Sequence, residues 1–423
     1  MDGKTVDVNE RLPLLQSIPL SLQHLFAMFG ATVLVPYLVG LDTSVTLFSS
    51  GVGTLLYILI TKGKIPAYLG SSFAFINALI AVIGAKAGTL GSAARISVAM
   101  GGCVVVGVIY LIVSLIIWRF GTGWINLLLP PAVIGPVVMV IGLALAKSAL
   151  GMAAVNYGTA FVALAIAILA AVIFRGFLGV IPVLLGIVGG YIYALLMGQV
   201  DFSPVWRASY LAPPRFVLPT FSLPVVLAFA PISLVVITEH IGHLIVTNNI
   251  VGRDFVKDPG LHRSLAGDGV ATAFAGLIGG PPNTTYGENI GVMAITRVFS
   301  VWVIGGAAVL AVLMSFCPKV GELIHTIPVP VMGGICIMLF GIIACAGVRM
   351  LVEAKTDFSQ KNNLIVASVI LILGVGGARL ELGRLTLEGM ALATIAGIIL
   401  NLTINHLVPL LTADLKKDVT VDQ

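Results

Sequence analysis

Asn283-Thr284-Thr285-Tyr286-Gly287-Glu288-Asn289-Ile290-Gly291-Val292-Met293-Ala294-Ile295-Thr296-Arg297 is a polar stretch set deep inside a chain that is apolar almost everywhere else. An amide, a phenol, a glycine and a carboxylate come first, and a helix-like apolar run follows. Gly279-Gly280-Pro281-Pro282 stands directly before it, so the stretch cannot begin as a plain helix. Polar, broken backbone is tolerated at membrane depth only where it lines a cavity or is buried in protein. The stretch therefore reads as half of a substrate site, with a short extended piece leading into a half-helix.

The surroundings support that setting. The 423 residues are 58% hydrophobic and 10% charged, whereas soluble domains carry about 25% charged residues. With a mean hydropathy of +1.10, this composition excludes a single soluble core and implies an all-α polytopic membrane protein embedded in a lipid bilayer. The 48 glycines suit close helix packing and interrupted spans. The net charge of +5 implies no nucleic-acid partner, because Lys and Arg sit in short loops between apolar runs. Cys103, Cys317, Cys336 and Cys345 fit no zinc spacing and no disulfide framework. Met1 to Leu15 lacks the regions of a signal peptide, so the first apolar run is expected to remain as a span.

Apolar length and interruptions define fourteen candidate segments between residues 17 and 411, with the third at 66–84, the eighth at 223–247, the tenth at 283–298 and the twelfth at 327–347. With the N-terminus inside, fifteen of the 23 Lys and Arg fall on the inner side and eight on the outer, which favours two cytoplasmic termini. Pro131-Ala132-Val133-Ile134-Gly135 followed by Gly142 is echoed by Pro330-Val331-Met332-Gly333-Gly334 followed by Gly341. The echo sets the fifth segment against the twelfth, and an odd offset of seven makes the two repeats inverted. The third segment then faces the tenth. It is interrupted too, at Tyr68-Leu69-Gly70-Ser71-Ser72-Phe73-Ala74-Phe75. Paired interruptions at corresponding positions point to a transporter site near the midplane. Short antiparallel β-strands in segments 3 and 10 are expected there, with half-helix N-termini aimed at the same place.

The eighth segment carries Thr238-Glu239-His240-Ile241-Gly242-His243. Ionisable residues inside a span are costly and mark function by default. Glu239 and His243 are four apart and share a helix face. A Glu–His pair in a low-dielectric cavity has its protonation tied to its neighbours, which is the raw material of proton coupling. The alternative is a hydrogen-bonded pair that only fixes packing. His-x-x-His plus Glu239 offers three metal ligands but no water-activating context, so no metal is assigned. Glu288 is the second intramembrane carboxylate, and it also suits a helix N-terminus. Tyr286 is either an aromatic wall or packing, and Phe73 sits in the broken third segment. Gln23-His24 form a polar pair in the first. Asp42, Asp201 and Asp254 fall in loops and read as solvated. Arg297 reads as a snorkelling anchor.

Two carboxylates, extended backbone and aromatics describe a pocket for a small, planar, neutral molecule with alternating donors and acceptors. Uracil fits this inventory. An anion such as sulfate would be repelled by Glu239 and Glu288.

The run Glu288-Asn289-Ile290-Gly291-Val292-Met293-Ala294-Ile295-Thr296-Arg297 resembles the signature of the nucleobase–ascorbate transporter (nucleobase:cation symporter) family. Glu in first place is similar to its bacterial uracil permease branch, whereas Gln is typical of the purine and ascorbate branches. Gln23 to Pro36, Pro66 to Phe75 and Glu239 to His243 resemble the family as well, and the likeness runs from Pro13 to Leu411. It implies fourteen segments in two inverted seven-segment repeats. A core domain would comprise residues 1–120 and 218–320, and a gate domain 121–217 and 321–423. It implies import of uracil with a proton by alternating access across a bacterial inner membrane, with no cofactor. Glu239 and Glu288 would bind the base, helped by backbone at Phe73 and Gly287; Tyr286 would line the site; His243 would tune or relay the proton with Glu239. A homodimer through the gate domains is also implied. Cys336 and Phe340 depart from the uracil-branch pattern of Ser and Tyr, and both changes remove a hydroxyl. The rival readings are a xanthine or urate permease of the same family and an anion exchanger or channel of similar architecture.

Overall fold

The computed structural model describes residues 5–382 and 385–408; the end of the last expected segment, Arg384, Lys416 and Lys417 lie outside them. Helices dominate. Among the described residues, six are long and apolar enough to cross a membrane, or seven if the bent pair Val301–Ser315 and Pro318–His325 is one span, and five further apolar helices are 10–17 residues long. The long ones include Leu14–Val39, Thr43–Ile60, Ala93–Phe120 and Val329–Glu353. Asp42 starts the second of these by accepting from Ser44 N (2.7 Å) and Val45 N (3.3 Å), so it is a helix cap and only half-exposed.

The eighth segment is an apolar span from Leu223 to Val251, as expected, with a local irregularity near its start. Helix Leu223–Phe229 ends at Ala230-Pro231, and Ile232–Val251 begins beyond it. Pro231 has no N–H to continue the ladder. The connection after Lys361–Val375 holds a hairpin. Arg379–Leu382 pairs antiparallel with Leu385–Glu388, opposing Leu380 to Leu387. The alternation Arg-Leu-Glu-Leu has the two-residue period of a strand.

Helix Ala93–Phe120 and helix Leu261–Ile278 touch backbone to backbone. A Cβ on Gly107 would sit 2.5 Å from Ala273 N, and one on Gly269 would sit 2.7 Å from Tyr110 Cβ, so only glycine permits the approach. Helices Pro131–Leu143 and Val329–Glu353, the two echoed segments, pack against each other with Gly135 beside Gly347 and Leu351 and Gly142 beside Phe340 and Ala344. Rising number in one meets falling number in the other, so the pair is antiparallel.

The residues before the first helix are not a free tail. Val6 N donates to Arg297 O (3.0 Å), Phe299 N to Val6 O (2.9 Å) and Val301 N to Val8 O (3.0 Å). Arg253 reaches Asp7 at 2.6 Å, and the Arg11 guanidinium lies 3.7 Å from the centre of the Trp302 ring. This strap ties the turn after Thr296 to the turn at Arg253. Asp201 and Asp254 are surface residues, as expected. The Ser203 hydroxyl and N–H hold the Asp201 carboxyl below the usual carboxylate range.

Candidate functional site

Two three-residue strands occupy the two interrupted segments. β1, Leu69–Ser71, pairs antiparallel with β2, Asn283–Thr285, in the register Leu69 to Thr285, Gly70 to Thr284 and Ser71 to Asn283. Ser72 N donates to Pro282 O (2.8 Å) and Tyr286 N to Tyr68 O (3.0 Å), which extends the ladder at both ends. A two-stranded ribbon leaves its outer edges unpaired, and in an apolar interior each orphaned group is costly. Side chains from neighbouring helices fill those positions. Thr54 Oγ1 accepts from Leu69 N (2.9 Å), Ser50 Oγ donates to Leu69 O (2.6 Å), and Thr272 Oγ1 donates to Asn283 O (3.0 Å). The Asn283 amide donates to Ser49 O and Ala271 O.

Each strand runs into a helix. Phe73–Phe75 forms one 3₁₀ turn and Ile76–Ile83 continues it; Gly287–Thr296 follows β2. The first intrahelical bond of the second half-helix is Ile290 N to Tyr286 O (3.2 Å), so the N–H groups of Gly287, Glu288 and Asn289 precede the ladder. Gly287 is exposed and Glu288 half-buried, whereas all of β2 is buried. The positive end of a half-helix thus meets open space beside a carboxylate.

The helix Ile232–Val251 crosses in front of this end. Glu239 is 6% exposed and its Oε2 makes no hydrogen bond to protein. It lies within electrostatic reach of Glu288. His243, one turn on, is fixed by Nδ1 at 3.1 Å from Thr285 Oγ1, and its Nε2 lies 3.5 Å from the position a Gly287 Cβ would take. The structure therefore gathers Glu239, His243, Gly287 and Glu288 around the end of β2. Phe73 is buried on the other strand's side, and its ring meets that of Phe340 edge-on at 6.0 Å.

Tyr286 has a different posture from an open wall. Its hydroxyl is 3.1 Å from Ser71 Oγ, 3.1 Å from Ser71 O and 3.2 Å from Thr32 Oγ1, and its ring covers Gly70 so closely that a Cβ there would collide. It braces both strands against the first helix. His24 takes the packing role: Asn289 donates its amide to His24 Nδ1 and to His24 O, each at 3.1 Å. Arg297 is exposed and ends its half-helix with φ +55°. Sequence reading passed over Asp268. It is fully buried in helix Leu261–Ile278, 3.0 Å from His240 Nδ1. The signal was present, since it is a carboxylate inside an apolar segment, the same criterion that selected Glu239.

The family described as Permease family matches residues 15–383. The uracil permease of Paenibacillus larvae subsp. larvae is 50% identical over 419 residues, covering 96% of this chain and 98% of the relative. The uracil permease of Bacillus subtilis (strain 168) is 52% identical, with 91% and 92% covered. Among solved structures, the fold is similar to the murine anion transporter Slc26a9 (TM-score 0.71, 11% identity, 93% of this chain and 69% of that chain). It is also similar to the transmembrane domain of the cyanobacterial bicarbonate transporter BicA (TM-score 0.61, 15% identity, 93% and 98%). At such identities the likeness concerns the fold alone.

Proposed function

Because this chain belongs to the Permease family, the nucleobase–ascorbate transporters, and is a multi-pass transporter rather than an enzyme, we propose that it imports uracil together with a proton. The observation that carries this reading is the meeting of a Glu239 carboxyl whose Oε2 is buried without a protein partner, a tethered His243 and the open end of the Gly287–Thr296 half-helix. Uracil offers ring N–H groups beside carbonyl oxygens. The carboxylates of Glu239 and Glu288 accept the former, and backbone N–H groups at Phe73 and Gly287 donate to the latter. The similar uracil permeases support the choice of base.

Glu239 takes up the proton with the base and releases it on the inner side. His243 holds the geometry and charge around it. One charge moving down 100 mV is worth about 2.3 kcal/mol, and about 1.4 kcal/mol is tenfold in concentration, so the coupling suffices to concentrate uracil. Transport proceeds by alternating access, with a core domain (1–120 and 218–320) moving against a gate domain (121–217 and 321–423). The antiparallel packing of Pro131–Leu143 with Val329–Glu353, and of β1 with β2, supports two inverted repeats of seven segments. The protein resides in a bacterial inner membrane with both termini inside, as a homodimer through the gate domains. The test is uptake of radiolabelled uracil into proteoliposomes carrying an imposed proton gradient. Accumulation that collapses with a protonophore supports symport; indifference to it makes the protein a uniporter. Competition by xanthine as effective as that by unlabelled uracil at equal concentration would transfer the substrate to the purine branch.

A further inference from the structure

His240 follows Glu239 in sequence but points about 100° away around the helix, into a polar chain that uracil binding does not use. Its Nδ1 is 3.0 Å from Asp268 Oδ2, its Nε2 is 2.8 Å from Ser264 Oγ, and the Ser264 hydroxyl is 2.7 Å from the Tyr57 hydroxyl. All four side chains are fully buried. They come from three helices, Thr43–Ile60, Ile232–Val251 and Leu261–Ile278. A neutral imidazole has one N–H. Given to Asp268, it leaves Nε2 to accept from Ser264, which accepts in turn from Tyr57. Packing alone is a weak reason for this arrangement, because a buried ionic group rarely gains net stability. The helices Ala93–Phe120 and Leu261–Ile278 already meet through Gly107 and Gly269.

Other polar groups surround the pair. Tyr110, from Ala93–Phe120, has a buried hydroxyl without a hydrogen-bond partner and lies within electrostatic range of both Asp268 and Glu239. Glu239 and His243 share the helix of His240, and Glu288 reaches Glu239 from the half-helix. The helices Pro131–Leu143 and Gly389–Leu402 that pack on the opposite face carry no titratable side chain.

We propose that Asp268 and His240 form a second proton-holding site, inside the core and apart from the substrate carboxylates, which takes the proton that Glu239 sheds. The balance is simple. Glu239 goes from carboxylic acid to carboxylate, and His240 goes from imidazole to imidazolium. The imidazolium donates Nδ1–H to Asp268 and Nε2–H to Ser264, whose hydroxyl turns to Tyr57. One proton moves and the total charge is unchanged. The Tyr110 hydroxyl is within electrostatic range of both donor and acceptor.

This inference rests on the proton-coupled reading above, and one set of proteoliposome experiments separates the two. His240→Gln, Asp268→Asn and Ser264→Ala are compared with wild type in uracil binding in detergent, in uracil–uracil counterflow and in uptake driven by a proton gradient. Asp268→Asn and His240→Gln are expected to retain binding and counterflow while losing gradient-driven uptake. Ser264→Ala removes only the acceptor of Nε2–H. Its half-maximal pH for uptake moves about one unit more acid, the tenfold loss of proton affinity expected when a hydrogen bond to a charged group is lost. Counterflow falling in step with net uptake would assign the cluster to structure and overturn the proposal, as would wild-type driven uptake and an unmoved pH profile in Ser264→Ala. If wild-type uptake ignores a protonophore, symport itself fails and this site with it; if wild type responds and the variants match it, only this site fails.

Discussion

At the scale of single residues, Glu239 stands out because a buried carboxylate oxygen without a protein partner is expensive. The ligand is left as the group that completes the hydrogen bonding of Glu239. Glu239→Gln and Glu288→Ala are therefore expected to abolish radiolabelled uracil uptake. A hydrogen bond to a charged group is worth about 1.5–3 kcal/mol, so each change costs tenfold or more in affinity; wild-type uptake by either would remove its assigned role. Tyr286 is tested differently. Tyr286→Phe keeps the ring over Gly70 and loses contacts to Ser71 and Thr32. Uracil affinity is expected to fall severalfold while some uptake persists, since a typical net hydrogen bond is worth about 1 kcal/mol. Isothermal titration with detergent-solubilised protein measures this.

At the scale of elements, the β1–β2 ribbon is the feature that makes a site possible. Each of its strands leads into the N-terminus of a helix, and it survives in an apolar interior because Ser50, Thr54 and Thr272 occupy its edges. Thr54→Val conserves shape and removes the acceptor of Leu69 N. An unsatisfied buried donor costs about 1–3 kcal/mol, so the variant is expected to melt at lower temperature and to bind uracil more weakly. Differential scanning fluorimetry with and without uracil checks both. A variant with wild-type melting and binding would mean that the ribbon edge is satisfied in some other way.

At the scale of the whole molecule, the proposed core and gate domains would meet where Gly242, on the helix of Glu239, faces Met350 and Ile134. An added Cβ would displace the end of the flexible Met350 side chain, which can swing away. Gly242→Ala is accordingly expected to transport nearly normally. Gly242→Leu would wedge the halves, so it should bind uracil yet fail in both uptake and counterflow. Equal activity of the two variants would show that this surface does not slide. Tyr37, whose hydroxyl donates to Ile327 O at 2.8 Å, supplies a second link between the same proposed domains. A reporter fused after Gln423 should be cytoplasmic, and an extracytoplasmic signal would reverse the charge-based orientation.

Much of this protein is legible in one dimension because the bilayer imposes strong local rules. Apolar runs, Gly-Pro interruptions and carboxylates within spans each betray themselves without knowledge of contacts, which is how residues 66–75, 239–243 and 283–297 were singled out and the two strands anticipated. Partnership is another matter. Nothing local distinguishes Ser50 and Thr54 from other small polar residues of a helix, or joins Asp268 to a histidine 28 positions earlier. The brace made by Tyr286 likewise depends on how neighbouring helices cross. Hydrophobicity is a property of each residue and could be read in order along the chain. The satisfaction of buried polar groups is a property of pairs distant in sequence, and only the tertiary structure brought those pairs together.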